Sequence, residues 1–499
     1  LTEVPGIGRV KAEAITESYL EQRELAETML ELRAYDISSL TAMKLYQVYG
    51  SEAAARVRED PYQLIEDVFG IGFQKADRIA KSMGIGFDDP KRIRSGILYN
   101  LGLSANSGHT YVFRKDFCEQ TGALLDVERQ KVDDALHLAI VTGYVYADTL
   151  QGSEVLYLNR YFEAEQYVAG KLMRLALAQP APLGTDVLAV IRKVEVDRGM
   201  TLSEKQKQAV IASVENGVCV ITGGPGTGKT TIIDTIVSIL TESGLRTVLA
   251  APTGRAAKRM TQMTGYEAST IHRLLEYYYS ENEDYMRFGR TEENPLEADC
   301  VIIDEMSMVD ILLMEGLVSA ISPGTRLILV GDSDQLPPVG AGSVLKDILK
   351  SDTIHSVHLT EIFRQARESL IVVNAHLINR GEYPSYNEQG KDFFFLERSR
   401  EADMLETIKD LCTRRLPNYY EDCDILSDIQ VLTPMRKGLL GSVGLNRELQ
   451  AILNPSAHGK EEKAFGERLF REGDKVMQIK NNYRISWRSM PDLTEGEGV

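Results

Sequence analysis

The sequence predicts a multidomain protein in which a mainly α-helical N-terminal half precedes an α/β half built on parallel sheets. Two observations predict this fold class. After about residue 200, apolar runs such as Val218–Ile221 and Cys300–Ile303 alternate with stretches of helical spacing, a pattern typical of parallel sheets. Before that point, apolar residues recur mainly at helical spacing, and 499 residues are enough for several domains.

A glycine-rich segment at residues 223–230 carries the clearest chemical signal. It matches the phosphate-loop pattern Gly-x-x-x-x-Gly-Lys-Thr in full, between a predicted strand and a predicted helix. Glycines let backbone amides surround phosphate oxygens, and the helix that follows adds its positive N-terminal end. We expect Lys229 to reach the terminal phosphates of ATP and Thr230 to hold Mg²⁺. The predicted ATP contacts here are Gly223, Gly224, Pro225, Gly226, Thr227, Gly228, Lys229, Thr230 and Thr231.

An acidic pair, Asp304-Glu305, follows the apolar run 300–303. A carboxylate at the carboxyl end of a strand beside a phosphate loop is placed to bind Mg²⁺, which is the role we expect for Asp304. Glu305 would then orient and activate the attacking water. Such a pair alone would usually lie in a solvated loop, but its position on the same predicted sheet favours a nucleotide site. Upstream, Gln206 could read the adenine edge with its amide.

The N-terminal region, residues 1–95, carries a repeated apolar-x-Gly-Ile-Gly pattern between helical segments. One copy contains Gly6 and Gly8 and the other contains Gly70 and Gly72. This pattern resembles the helix-hairpin-helix, whose glycines bring backbone amides up to a DNA phosphate without reading the base sequence. The two copies favour DNA contact, although a purely structural scaffold stays an alternative.

Residues 96–178 have the order of elements of a winged helix. We expect a helix over 113–125, a second helix capped by Asp126 and running to Thr142, and a hairpin of 144–147 with 155–158. This region could touch DNA or serve as a spacer. Residues 179–200 then read as a linker, because they begin with a Pro- and Gly-rich stretch.

Composition excludes few classes of function. The net charge of −17 argues against a nucleic-acid partner when taken alone, but binding depends on local patches, and residues 431–490 are locally basic. No apolar run approaches the ~18 residues of a membrane span, so we expect no membrane partner. The scattered cysteines suit a reducing cytoplasm, and they are Cys118, Cys219, Cys300, Cys412 and Cys423.

Further motifs choose among the phosphate-loop proteins. Segments 252–258 (Pro-Thr-Gly-Arg-Ala-Ala-Lys), 331–339 (Gly-Asp-Ser-Asp-Gln-Leu-Pro-Pro-Val) and 359–365 (Leu-Thr-Glu-Ile-Phe-Arg-Gln) together resemble superfamily 1 helicases. The match is closest to RecD-like DNA helicases of the stand-alone form. The resemblance implies two RecA-like α/β motor domains, at 201–344 and 345–499, which use ATP and Mg²⁺ to move 5′→3′ on single-stranded DNA. It also implies tailed duplex substrates and a role in DNA repair or recombination.

The resemblance assigns roles to single residues. Gln335 would sense the terminal phosphate, and Arg364 would reach the same phosphate from the second motor domain. Thr253, Arg255 and His272 would lie on loops that face single-stranded DNA, although His272 taken alone could be a surface histidine.

An insert at residues 264–299 resembles the place of a short hairpin that splits the duplex in similar helicases, where it acts as a pin. Within the insert, we prefer an amphipathic packing helix for Tyr277–Tyr279 over a base-stacking role.

Later family features are not expected before Val499. These are a small barrel inserted in the second motor domain, a DNA-binding motif and a final arginine motif. We therefore read the second motor domain as incomplete and the sequence, which starts at Leu1, as part of a longer protein. The alternatives are a relaxase-linked conjugative helicase and a DNA-binding subunit of a recombination complex that uses ATP only as a switch. The sequence names no protein partner.

Overall fold

A computed structural model describes residues 19, 23–68, 70–280, 285–361, 368–388, 390–466, 468–477, 486–488 and 495–497. The chain divides into two compact units, Leu1–Ser385 and Tyr386–Val499. Among the described residues, no helix has the length and apolarity to cross a bilayer.

The first unit begins with helices and a three-stranded antiparallel sheet of order β1–β3–β2. Residues 23–33 are helical. The next helices are α1 Ser39–Tyr49, α2 Ala53–Glu59, α3 Leu64–Asp67, α4 Phe73–Ser82, α5 Pro90–Asn106, α6 Arg114–Leu125 and α7 Arg129–Val141. The strands are β1 Tyr111–Phe113, β2 Val145–Leu150 and β3 Ser153–Leu158, and α8 Asn159–Leu177 follows. Apolar side chains from the elements before α8 share one buried cluster.

Two sequence predictions for this region differ from the structure. The division predicted at residue 95 falls inside α5, whose two halves contribute to the same core. Asp126 does not cap α7, because it ends α6 in the left-handed conformation at φ +56° and Glu128 precedes α7 instead. The predicted hairpin is confirmed as β2 and β3.

A six-stranded parallel sheet forms the centre of the first unit, in the order β11–β4–β10–β9–β5–β6. Its strands are β4 Val218–Gly223, β5 Thr247–Ala251, β6 Ala268–Thr270, β9 Cys300–Ile303, β10 Arg326–Gly331 and β11 His355–Leu359. Strands β4, β9 and β10 are almost completely buried, as continuous apolar runs in a covered parallel sheet should be. Because all strands are parallel, the loops after β4, β9 and β10 meet at one edge.

Helices cover both faces of this sheet. They are α9 Val187–Asp197, α10 Glu204–Glu215, α11 Lys229–Glu242, α12 Gly254–Thr264, α13 Ile271–Leu274, α14 Ile311–Ser319 and α15 Val344–Ser351, and α16 Leu370–Asn379 follows them in the first unit. A separate antiparallel hairpin consists of β7 Tyr277–Ser280 and β8 Tyr285–Phe288. The sheet continues past residue 344, where the sequence analysis divided the motor domains, since β11 pairs with β4.

The predicted linker is fixed to the sheet. The buried Arg326 donates from Nε to the Val214 carbonyl at 2.9 Å and from a terminal nitrogen to the Ala181 carbonyl at 2.5 Å. Residues of α8 also share a buried cluster with the sheet and α14. The helical N-terminal part and the parallel sheet therefore form one packed body.

The second unit contains shorter elements. Its helices are α17 Glu401–Asp410, α18 Leu416–Tyr419, α19 Ile425–Asp428 and α20 Ser442–Leu453, and a π-helical segment, Leu411–Arg415, joins α17 to α18. Its strands pair as two antiparallel hairpins, β12 Glu462–Phe465 with β13 Arg468–Arg471 and β14 Ser486–Arg488 with β15 Glu495–Glu497. The Asp474 carboxylate accepts hydrogen bonds from Gln450 and Asn454 of this unit at 2.6 and 2.8 Å, which joins α20 to the chain after β13.

Candidate nucleotide site and DNA-facing surfaces

The phosphate loop, residues 223–230, connects β4 directly to α11. Gly226 and Gly228 have φ of +75° and +81°, which only glycine adopts without strain. Gly228 immediately precedes α11, so the loop's amides lead into the positive end of that helix. The strand, loop and helix predicted from the sequence are confirmed.

Lys229 lies across the loop. Its Nζ donates to the carbonyl of Gly223 at 2.5 Å and to that of Gly224 at 3.2 Å. The Thr227 hydroxyl donates to the same Gly224 carbonyl at 2.8 Å. These bonds use carbonyl oxygens and leave the loop's amides to an anion, so the loop has the chemistry of a phosphate cradle.

Gln206 is buried beneath the loop and is not directed to an open face. Its Nε2 donates to the Thr227 carbonyl at 3.2 Å, and its Oε1 accepts from the Ser203 amide at 2.9 Å in a capping box that starts α10. Both ends of the amide are therefore engaged. The residue holds the loop to α10, and its contact with adenine stays a prediction.

Asp304 and Glu305 follow β9, which is separated from β4 by β10 alone. The Asp304 amide is bonded to the Ala250 carbonyl at 3.0 Å, and the Asp304 carboxylate accepts from the Glu305 amide at 2.8 Å. Glu305 is held at φ +55°, an uncommon conformation for a residue with a side chain. Local strain of this kind is frequent at functional sites.

Burial raises the pKa of both carboxyl groups, and for Glu305 the neighbouring Asp304 charge raises it further. The cations Lys229 and Arg259 oppose this rise. A bound divalent cation would stabilise the two carboxylates in the same way. Arg259, on α12, was missed by the sequence analysis because it lies just outside the motif at 252–258.

Mg²⁺ would need ligands from more than carboxylates. No group of three His, Cys, Asp or Glu suited to a metal exists in the part of the chain that the structure describes. The donors that fit a hard cation are the Thr230 hydroxyl, at the start of α11, and the partly buried Asp304, with phosphate oxygens completing the shell.

Gln335 lies on the loop after β10, beside the turn that follows Glu305. Its Oε1 accepts from the Ser307 hydroxyl at 3.3 Å. The same loop is joined to β4, since the Ser333 amide donates to the Thr222 hydroxyl at 3.3 Å. The structure thus brings Gln335 to the edge that carries the phosphate loop and Asp304. Arg364, predicted for the same site, lies outside the described residues.

Two of the residues predicted to face DNA, Thr253 and His272, have local structural roles. The Thr253 hydroxyl caps α12 by accepting from the Ala256 amide at 3.3 Å, and Arg255 is exposed one residue into that helix. The His272 ring packs against Tyr277 and Phe288, with centroids 5.2 and 6.2 Å apart. Burial lowers the pKa of His272, and Asp310 opposes this effect. His272 therefore supports the base of the β7–β8 hairpin.

The helix preferred for Tyr277–Tyr279 is wrong, because these residues form strand β7. Helix α13 ends at Leu274, and Glu276 turns the chain at φ +53°. Three consecutive aromatic residues favour an extended strand once the chain has turned. The hairpin base is closed by an ion pair between Glu276 and Arg290 at 2.8 Å. Its tip, residues 281–284, lies outside the described residues.

The second glycine pattern forms a turn before α4. Gly70 has φ +87°, and Gly72 is the residue that precedes the helix, without a side-chain cap. Burial lowers the pKa of Lys75 in the first turn of α4, and the nearby charges of Lys44 and Arg78 lower it further. Cations therefore gather at this helix N-terminus. Gly6 and Gly8, in the first copy, lie outside the described residues.

Three family models match the chain. An ATP-dependent RecD2 DNA helicase HHH domain matches residues 21–111, an AAA domain matches 206–341, and an ATP-dependent RecD-like DNA helicase SH3 domain matches 445–488. The last match corrects one expectation. The small barrel predicted to lie beyond Val499 is matched within the chain, in the range that contains the β12–β13 hairpin. Its short strands carry no motif that the sequence analysis could identify.

Curated relatives extend this match. The ATP-dependent RecD2 DNA helicase of Deinococcus radiodurans is 32% identical over 96% of this chain and 65% of its own length. The chain is therefore similar to RecD-like DNA helicases over nearly its whole length. The RecBCD enzyme subunit RecD of Mycolicibacterium smegmatis is 36% identical over 40% of this chain and 38% of its own length. The uncharacterized protein MJ1519 of Methanocaldococcus jannaschii is 25% identical over 94% of this chain and 48% of its own length. The RecD-like chain thus spans about two thirds or less of these relatives.

Proposed function

We propose that this RecD-like chain is the ATP-hydrolysing and DNA-gripping part of an ATP-dependent DNA helicase. One observation carries the proposal: the phosphate loop, Asp304-Glu305 and the Gln335 loop meet at the same edge of one parallel sheet. This arrangement provides a phosphate cradle, a metal ligand and a group to orient water.

In the proposed reaction, Lys229 and the loop amides hold the terminal phosphates of ATP. Thr230 and Asp304 would bind Mg²⁺, which neutralises charge on the phosphate oxygens. Glu305 orients the attacking water and accepts its proton, a role that needs the ionised carboxylate. The charges of Lys229 and Arg259 favour that ionised form against the effect of burial. Gln335 senses the terminal phosphate, and Arg364 supplies charge from the second motor domain.

We further propose that hydrolysis drives 5′→3′ movement along single-stranded DNA. The support for direction is the relationship to RecD2-type helicases. Thr253 and Arg255 would face the strand, while the β7–β8 hairpin would act as the pin that excludes the other strand. The Gly70–Gly72 turn, with the cations around α4, would hold duplex or tail phosphates without reading sequence. Scattered free cysteines support action in a reducing cytoplasm. The similarity to RecD-like helicases supports a role in DNA repair or recombination.

A strand-displacement assay on the full-length protein tests this function. Duplexes with a 5′ tail should be unwound in the presence of ATP and Mg²⁺, and duplexes with a 3′ tail should not. Lys229→Ala serves as the control, because it removes the charge that faces the phosphates and should abolish hydrolysis. DNA-stimulated ATP turnover separates this motor from a protein that uses ATP only as a switch. Near-normal hydrolysis by Lys229→Ala would contradict the site, and a preference for 3′ tails would contradict the direction.

A further inference from the structure

Helix α16 touches the phosphate loop through the imidazole of His376. The Nε2 atom of His376 lies 3.3 Å from the Pro225 carbonyl oxygen. The ring also lies against the preceding residue, since a Cβ atom built on Gly224 would be 2.5 Å from the His376 Cε1 atom. None of the motifs in the sequence covers His376.

This contact gives a physical reason for the glycine at position 224. Gly226 and Gly228 need glycine because their φ angles are positive, but Gly224 is not among the residues with positive φ. Its backbone would accept an L side chain without strain. A Cβ atom at position 224 would instead require the ring of His376 to shift.

The contact is compatible with a bound phosphate. A neutral or protonated imidazole that carries hydrogen on Nε2 donates to the Pro225 carbonyl. It therefore uses an acceptor of the loop and none of the amide donors that phosphate oxygens need. The helix and the nucleotide can therefore bind the loop at the same time.

Helix α16 is in turn fixed to the end of the first unit. The buried Asn374 donates from Nδ2 to the Ser385 carbonyl at 2.5 Å and accepts from the Ser385 amide at 2.9 Å. Ser385 is the last residue of the first unit, and Tyr386 begins the second. The residue that immediately precedes the second unit is therefore held by α16.

We propose that His376 is a positioning residue that latches α16 onto the phosphate loop and couples the nucleotide in the loop to the second unit. This role rests on the proposed ATP-driven function. The latch connects the loop at Gly224–Pro225 to Ser385 through one helix, in which His376 and Asn374 lie two residues apart.

The first test separates nucleotide binding from its coupling to DNA. In the full-length His376→Ala protein, affinity for a fluorescent ADP analogue should stay within about threefold, while the turnover stimulated by oligo(dT) should fall about tenfold, as expected for one lost positioned hydrogen bond. His376→Gln should recover much of the stimulation, because its amide can donate to the Pro225 carbonyl. Ile378→Ala, an exposed change on the same helix, is the matched control and should leave both quantities unchanged.

The second test is a double-mutant cycle between Gly224→Ala and His376→Ala. If the ring meets the added methyl group, the loss of DNA-stimulated turnover caused by Gly224→Ala should be smaller when the imidazole is absent. The effects of the two substitutions on turnover should therefore not be additive. Additive losses of DNA-stimulated turnover would contradict the proposed contact between His376 and the phosphate loop. A loss of ADP binding in His376→Ala as complete as in Lys229→Ala would also overturn it, because His376 would then be a nucleotide ligand. Failure of the unaltered protein to bind ADP would instead reject the proposed function itself.

Discussion

At the scale of single residues, the nucleotide edge combines a rigid cradle with carboxyl groups that are costly to bury. Lys229 is held by the Gly223 and Gly224 carbonyls, so its charge is placed before any ligand arrives. Asp304 and Glu305 have raised pKa values because burial disfavours their charged forms. Glu305 must be ionised to act as a base, and the neighbouring cations, rather than solvent, stabilise its ionised form.

We predict that Glu305→Gln keeps ATP and Mg²⁺ binding but lowers turnover by about 10²–10⁴-fold, the usual contribution of a general base. The change preserves shape and removes the proton acceptor. Single-turnover hydrolysis and ADP-analogue binding measure the two effects. Asp304→Asn is the partner variant and should lose Mg²⁺-dependent binding. The opposite pattern in the two variants would mean that their roles are exchanged.

The same reasoning gives a pH dependence. Because the pKa of Glu305 is raised, its ionised fraction, and with it turnover at saturating ATP, should begin to fall at a higher pH than for an ordinary glutamate as the solution is acidified. In Glu305→Gln the residual turnover should lack this acidic limb. A pH profile of turnover measured for both proteins checks the assignment, and an acidic limb that persists in the variant would assign it to another group.

At the scale of secondary-structure elements, local contacts position the β7–β8 hairpin and helix α4, the two elements proposed to contact DNA. The β7–β8 hairpin stands on the ring of His272, the Glu276–Arg290 ion pair and the contact of Phe288 with Gly316 on α14. Helix α4 begins at an uncapped glycine and gathers cations in its first turns. Both elements are positioned by residues of the first unit.

We predict that replacing hairpin residues 281–284 by a short Gly-Ser turn leaves the DNA-stimulated ATPase largely intact and cripples strand separation. Stepping depends on the nucleotide edge, whereas splitting depends on the wedge. The same replacement at residues 322–324, in the connection between α14 and β10, is the control and should affect neither activity. An equal loss of both activities in the hairpin variant would show that the insert belongs to the motor core.

We predict that the double variant Lys75→Gln/Arg78→Gln weakens DNA binding without changing sequence preference. Each phosphate contact releases counterions, so the slope of log affinity against log salt should become shallower by about 1–2. Fluorescence anisotropy over a salt series measures this slope. Lys350→Gln, which removes one charge from an exposed lysine of α15, is the control and should leave the slope unchanged. An unchanged slope would favour the scaffold interpretation of the glycine-turn region.

At the scale of the whole molecule, the helical N-terminal part and the parallel sheet behave as one body. Helix α8 shares a core with the sheet and with α14, and Arg326 binds the segment between α8 and α9. Gly217 has no room for a side chain beneath the carbonyls of Leu175 and Ala178. DNA held by the N-terminal part would therefore be held at a fixed position relative to the nucleotide edge.

We predict that Arg326→Met lowers the free energy of unfolding by about 2–4 kcal/mol, because the carbonyls of Val214 and Ala181 lose their buried donor. Urea denaturation followed by circular dichroism measures the change. Arg192→Met, on the exposed face of α9, is the matched control and should stay within about 0.5 kcal/mol. Equal stability of the two variants would show that the junction does not depend on Arg326.

Local sequence patterns were sufficient to predict many of the elements and motifs of this RecD-like protein. The strand, loop and helix around Lys229 were predicted correctly because the glycine spacing and flanking periodicity are all local. The β2–β3 hairpin and the strand before Asp304 follow from local patterns in the same way. The family could likewise be identified from motifs that each span fewer than about ten residues.

Contacts between segments far apart in the sequence determined the features that local patterns did not predict. Tyr277–Tyr279 became a strand because β8 pairs with it, and the small barrel gave no motif because short strands carry little periodicity. The Arg326 anchor, the engagement of Gln206 and the contact of His376 with Pro225 join residues 21 to 151 positions apart. No local pattern encodes such pairs, since their energy depends on burial and geometry that exist only after the sheet has assembled its helices.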